Sequence, residues 1–239
     1  MLNKKNNKHD ESHFPEEIIV NRFNETSAQE FHDMVWQKFK DNPKRPIIIK
    51  IDSYGGNVYS LMRMLDVMDD IRELAPEEFY FVTECTGKTM SCGAVLLSHG
   101  DMRVANKNAT LLVHQVSSIS LGTYSELKKD VEETGRLNDK VFNIMVYNTS
   151  FPGGLKKLKE LTINDWTLDA DGAKKYGFVD LIGSAHLETK IMFNLCIQEA
   201  GQGLSNRKQI VERKAKRKKI KPKRRVQKKT DEQKDGNNE

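Results

Sequence analysis

Pro46-Ile47-Ile48-Ile49-Lys50-Ile51-Asp52-Ser53-Tyr54-Gly55-Gly56 decides the fold class. A proline opens a β-branched run, which reads as a buried strand, and two glycines end it in a turn. Beyond the turn, Leu61, Met64, Leu65 and Met68 recur on one helical face. Strand, glycine turn and helix in succession make one unit of an α/β fold.

A second unit follows the same plan. Phe79–Val82 reads as a strand, Thr86-Gly87 as a turn, and Ser91-Cys92-Gly93-Ala94-Val95-Leu96-Leu97 as the start of a buried helix. Short strands fit Met102–Ala105 and Thr110–Val113. Leu127, Val131, Leu137, Val141, Ile144 and Met145 lie on an amphipathic helix over Tyr124–Asn148, which Pro152-Gly153-Gly154 brings to an end. Asp165 falls in a loop, Asp169–Tyr176 reads as a helix, and Phe178–Ile182 as a last strand. On the N-terminal side, Ser27 and Glu30 have capping-box spacing ahead of Phe31, Met34, Val35 and Phe39. The expectation is an α/β fold with a largely parallel sheet, whose ligand-contacting residues gather where strands give way to helices.

The flanks differ in character. Residues 1–16 lack periodicity and read as a flexible N-terminal segment; residues 17–185 form the folded domain; residues 186–206 read as a C-terminal helical segment. From Arg207 to Glu239 there are 15 Lys/Arg against 5 Asp/Glu, so a disordered basic tail of net charge +10 follows a body of net charge −5. A solvated extension is the plain reading of that tail, and contact with nucleic acid or another polyanion the sharper one. No run approaches the roughly 18 apolar residues of a membrane span. Cys85, Cys92 and Cys196 match no zinc or disulfide spacing, and reduced thiols in a cytoplasmic protein are expected.

Three polar residues stand at element ends. Ser91 precedes an apolar helix, where a hydroxyl meets amide N–H groups, although an ordinary N-cap serine occupies the same kind of place. His114 closes the strand Leu111-Leu112-Val113, where a structural histidine fits equally well, and Asp165 fits a helix cap as readily as a site. Thr89-Met90-Ser91-Cys92-Gly93 lacks the first glycine of a G-x-S-x-G elbow. Gly87-Lys88-Thr89 is not a phosphate loop, because Val82 stands where such a loop has its first glycine.

Ile51-Asp52-Ser53-Tyr54-Gly55-Gly56 resembles the N-S-P-G-G segment of the Clp proteolytic subunits. Gly87–Ala94 is similar to that family's G-x-A-A-S-M-G-A segment, and Leu112-Val113-His114-Gln115 to its M-I-H-Q. Asn164-Asp165-Trp166 with Ala173 and Tyr176-Gly177-Phe178-Val179-Asp180 resembles its R-D-x-F ending. The resemblance implies the Clp/crotonase-like fold of repeated β-β-α units, with Tyr124–Asn148 as a protruding handle helix. It implies a serine endopeptidase with Ser91 as nucleophile, His114 as base and acid, and Asp165 as the orienting carboxylate. The backbone N–H groups of Gly56 and Cys92 match its oxyanion hole.

It further implies peptide or unfolded-protein substrates, a homo-oligomeric ring (a heptamer or stacked double ring), an AAA+ unfoldase partner, and no cofactor or metal. Four departures stand out: Tyr54 and Val116 replace prolines, Cys92 replaces methionine, and Asn164 replaces an arginine that joins rings in the family. Three rivals follow from related folds: a non-catalytic ring subunit, a Ser/Lys-dyad enzyme of the signal-peptide-peptidase type, and an acyl-CoA enzyme of the crotonase kind.

Overall fold

The computed structural model describes residues 17–189 and 193–199. The N-terminal segment 1–16, the basic tail 207–239 and the end of segment 186–206 lie outside them. In chain order the elements are β1 (Glu17–Val20), α1 (Glu25–Asp41), β2 (Ile47–Ser53), α2 (Val58–Leu74), β3 (Phe81–Met90), α3 (Cys92–Ser98) and β4 (Met102–Ala105). Then come β5 (Thr110–Val113), α4 (Tyr124–Asn148), α5 (Gly154–Leu161), β6 (Trp166–Asp169), α6 (Ala170–Lys175), β7 (Leu181–Thr189) and β8 (Phe193–Glu199).

The sheet runs β1-β2-β3-β4-β7-β8, and its first four junctions are parallel. The α/β class with a largely parallel sheet is therefore the one expected. Its central strands read as continuous apolar runs because both faces are covered: Ile47, Ile48, Ile49 and Ile51 are all buried. Ile47, Ile49 and Ile51 pack with α1 and α2 side chains such as Phe31, Leu61 and Met64, whereas Ile48 joins Tyr80, Val82 and Val104 on the other face.

Three local expectations need correction. The cap of α1 is Asn24 and not Ser27: its side chain accepts the Ser27 N–H at 2.8 Å, and the Ser27 hydroxyl accepts the Asn24 N–H at 3.0 Å. Asn caps a helix as well as Ser does, and the box closes one turn earlier than Ser27/Glu30. Thr86-Gly87 is not a turn, since β3 runs through it to Met90. The Thr86 and Thr89 hydroxyls both donate to the Ile51 carbonyl at 3.1 Å, across a register shift between Ile51 and Ser53. Gly87 lets the strand pass Asp52, whose carboxylate would lie 3.0 Å from an added Cβ.

The third correction is at the C-terminus. The helical segment expected over 186–206 begins instead as the end of β7, which turns back antiparallel into β8 with Gly183 opposite Glu199. The reason is the period: Phe193, Leu195 and Ile197 alternate with Asn194, Cys196 and Gln198, a strand pattern.

Helix α4 occupies the expected residues, with two unlike halves. Leu137, Val141, Phe142 and Met145 are buried, all in its C-terminal half. Ile119, Leu121, Tyr124 and Val131 are largely exposed in the preceding loop and first turns. The base of this segment is tied to α2 by the Tyr59 hydroxyl, which donates to Glu133 at 2.6 Å.

One buried ion pair joins β4 to the chain ahead of β7. Arg103 and Asp180 are each 3% exposed, with Nη2 and Oδ1 2.6 Å apart. Arg103 also donates to the Asn148 carbonyl at the end of α4, and its own N–H donates to Asp180. Asp180→Ala should therefore lower unfolding stability by about 3–5 kcal/mol, because the guanidinium stays buried without its charge partner. Urea unfolding measures the loss; a change below about 1 kcal/mol would show that water reaches Arg103 freely.

Candidate functional site

Strand register sets the three sequence-predicted residues at neighbouring strand ends. The second half of β3 pairs in parallel with β5, ending at Met90 opposite Leu112. The next residue, Ser91, donates its N–H to the Leu112 carbonyl at 3.0 Å. Strand β5 pairs antiparallel with β6, ending at Val113 opposite Trp166. One step further along that ladder sets His114 across from Asp165.

Ser91 has φ 55° and ψ −119°, the one described non-glycine residue with positive φ. A conformation of this kind costs roughly 1–3 kcal/mol and persists only where the surroundings impose it. Here the imposing contacts are the β3–β5 hydrogen bond behind Ser91 and helix α3 ahead of it, where Ala94 N–H donates to the Ser91 carbonyl at 2.9 Å. The sharp bend turns the side chain out of the sheet, the task a strand-to-helix elbow performs without the usual first glycine.

The Gly55-Gly56 pair threads between Ser91 and Phe23. An added Cβ on Gly55 would sit 2.7 Å from Ser91 Cβ and 3.1 Å from its Oγ. On Gly56, at φ 150°, it would sit 2.4 Å from the Phe23 carbonyl oxygen. Asn57 donates to that oxygen at 2.8 Å and caps α2 by accepting the Ser60 N–H at 3.0 Å. Glycine is required at both positions by contact as well as by backbone angle.

Gly56, Ser91, Cys92 and His114 share the wall of one cavity of about 50 Å³, with Leu61, Val95 and other apolar side chains behind them. Asp165 lies outside that wall. Its Oδ1 is 3.6 Å from His114 Nδ1, beyond hydrogen-bond length, and it is 69% exposed against 26% for the imidazole. Among the described residues no hydrogen bond joins Ser91 to His114. The structure thus gathers serine and histidine at one cavity, with the carboxylate one short movement away.

Two residues that the sequence reading passed over hold the loop after His114. Val116 N–H donates to Asn138 Oδ1 on α4 at 3.0 Å, and the Ser118 and Thr134 hydroxyls meet at 3.0 Å. Asn138 follows the buried Leu137 and gives no signal in the sequence beyond being polar beside an apolar face.

Both buried thiols are held in their un-ionised form. Burial pushes Cys92 up to about 11, and its thiol donates to the Gly56 carbonyl at 3.2 Å; burial likewise pushes Cys85 to about 11. Lys88, three residues before Ser91, is engaged elsewhere. Its Nζ pairs with Asp52 at 2.8 Å and sits 4.7 Å from the Tyr54 ring centre, and the Asp52 hydrogen bond raises its pKa. A lysine held protonated in this way is a poor base.

A protein-family model described as Clp protease matches residues 14–186, most of the chain.

The thiol environments predict that iodoacetamide at about pH 8 leaves Cys85 and Cys92 unmodified in the folded protein and labels both after denaturation. Peptide mapping reads the outcome. Labelling of folded Cys92 at the rate of a free thiol would mean an open and polar cavity wall.

Proposed function

The chain belongs to the Clp protease family of peptidases, and from that premise we propose a serine endopeptidase that cuts peptides or unfolded proteins as one subunit of a homo-oligomeric ring. The observation that carries this reading is Ser91, held at positive φ on the same cavity wall as His114, Gly56 and Cys92.

In the proposed mechanism His114 takes the Ser91 proton as the hydroxyl oxygen attacks the scissile carbonyl. The oxyanion receives hydrogen bonds from the Gly56 and Cys92 N–H groups, each worth about 3–4 kcal/mol if preorganised. His114 then protonates the leaving amine, and water repeats the sequence on the acyl-enzyme. Asp165 orients the imidazole and stabilises its cation. From 3.6 Å it must close by roughly 0.7 Å to make a charge-assisted hydrogen bond. Such tightening on substrate binding or assembly is common at catalytic sites.

The small cavity next to Ser91, about 50 Å³, favours substrates with a small residue before the cut. The assembly reading draws on the handle. Tyr124, Leu127 and Val131 follow at i, i+3 and i+7 on α4, beyond Ile119 and Leu121, and all are exposed to some degree. A second copy of the chain is the natural cover for that stripe. An ATP-driven unfoldase would be needed to feed the ring anything larger than peptides or loosely folded chains.

Labelling with an active-site-directed fluorophosphonate tests the chemistry. Ser91→Ala should abolish labelling and lower peptide hydrolysis at least 10³-fold, roughly as removal of a serine nucleophile does elsewhere. His114→Ala should fall comparably; full activity without the imidazole would replace the triad with a dyad, and unlabelled wild-type protein would leave a ring-building subunit. For assembly, Leu121→Glu with Val131→Glu should shift native mass toward smaller species, and an unchanged mass would remove the stripe from the interface.

A further inference from the structure

A second cavity, about 1120 Å³ in volume, has a lining that does not include Ser91. It lies between α2 and α4, with Phe79 and His99, the C-cap of α3, in its wall, and the turns of α4 that carry Val141, Phe142 and Met145 stand between it and the cavity at Ser91. Pro76 and Ile144 supply apolar surface above the buried Phe79, and Glu73, Glu77 and Lys140 stand at the rim. Arg72 is occupied within the wall, paired with Asp69 at 2.8 Å and Asp101 at 3.3 Å. The segment that builds this wall is strongly acidic: residues 66–78 hold six Asp/Glu and one Arg.

The same chain carries the matching chemistry. Residues 207–226 place Ile210, Val211, Ile220 and Val226 singly or in a pair among Lys and Arg, as in Lys218-Lys219-Ile220-Lys221. With two carboxylates, Glu73 and Glu77, against Lys140, the rim has a small acidic excess around apolar surface, which suits a segment of that kind. Exit direction and reach agree. Glu199 lies opposite Gly183, and β8 runs antiparallel to β7 and hence to β4. The chain therefore leaves β8 heading toward the end of the sheet where β4 begins, beside the cavity residue Asp101. Strand spacings put that point roughly 20 Å from Glu199, and residues 200–206 alone span up to about 25 Å.

We propose that this cavity is the docking site of the chain's own basic segment, residues 207–226, with an aliphatic side chain such as Ile220 on the floor and lysines at the carboxylate rim. Attachment to the same chain supplies a millimolar-scale local concentration, so the contact forms without high intrinsic affinity. Its lining shares no residue with the cavity at Ser91, and the cross-links that test it are read without peptidase activity, so it holds or fails independently of the proteolytic reading.

Carbodiimide cross-linking of the full chain, prepared as an equal mixture of isotope-labelled and unlabelled copies, tests it by mass spectrometry. The expected products join Glu73 or Glu77 to lysines of residues 207–226 within one copy. They should fall about tenfold in about 0.5 M salt, where charges are screened within a few ångströms. Glu73→Gln and, separately, Ile220→Ser should each lower the yield several-fold; Ile220→Ser changes only the tail. Tail lysines linked evenly to carboxylates such as Glu132 and Glu160 would overturn the proposal. So would products found only between copies, which would make a second chain's tail the occupant. Tail lysines that form no such product, yet shift duplex DNA in a salt-dependent manner, would overturn it in favour of a polyanion.

Discussion

The site depends on one hydrogen-bond ladder, the three strands β3, β5 and β6 held side by side. Register in a sheet is all or nothing, because a slip of one residue turns every side chain to the opposite face. A slip of β5 against β3 would move His114 away from the cavity that Ser91 lines. A slip against β6 would take Asp165 from its place across from the imidazole. The Ser91 N–H bond to the Leu112 carbonyl extends this ladder into the bend itself, so the strained residue is anchored by the pairing that positions its partner.

Around that ladder the molecule accepts local strain and secures it with contact. Ser91 adopts positive φ because β3 and α3 leave it no alternative, and Gly55 clears the space its side chain needs. The length of β3 matters as much. Its first half pairs with β4 and its second half with β5, so one strand links the Arg103–Asp180 side of the sheet to the cavity. The loop beyond His114 is then tied to α4 through Asn138 and Thr134, which couples the histidine to the helix whose first turns expose an apolar stripe. Anything that covers that stripe acts on a helix already bonded to the site.

Several features were legible before any coordinates because they depend on neighbours in sequence. The isoleucine run of β2, the glycine pair after it and the full span of α4 follow from periodicity and turn chemistry. Other features misled for a physical reason. Ser27 and Glu30 have the spacing of a capping box, yet Asn24 caps first and uses Ser27 as its partner. Thr86-Gly87 looks like a turn, but the two threonine hydroxyls bind the neighbouring strand's carbonyl and carry β3 across. Within segment 186–206, the two-residue alternation over Phe193–Gln198 shows as a strand once β7 offers an edge to pair with.

By itself the sequence determined the α/β class, the identities of Ser91, His114 and Asp165 as candidates through their resemblance to a known family, and a basic tail opposed to an acidic body. These rest on residue type and short-range spacing, which a linear string contains in full. Tertiary structure alone decided the cap at Asn24, the anchoring of Val116 by Asn138, the 3.6 Å gap between His114 and Asp165, and the cavity between α2 and α4. Each of those is a distance between groups far apart along the chain, set by register and packing, and no local pattern encodes it.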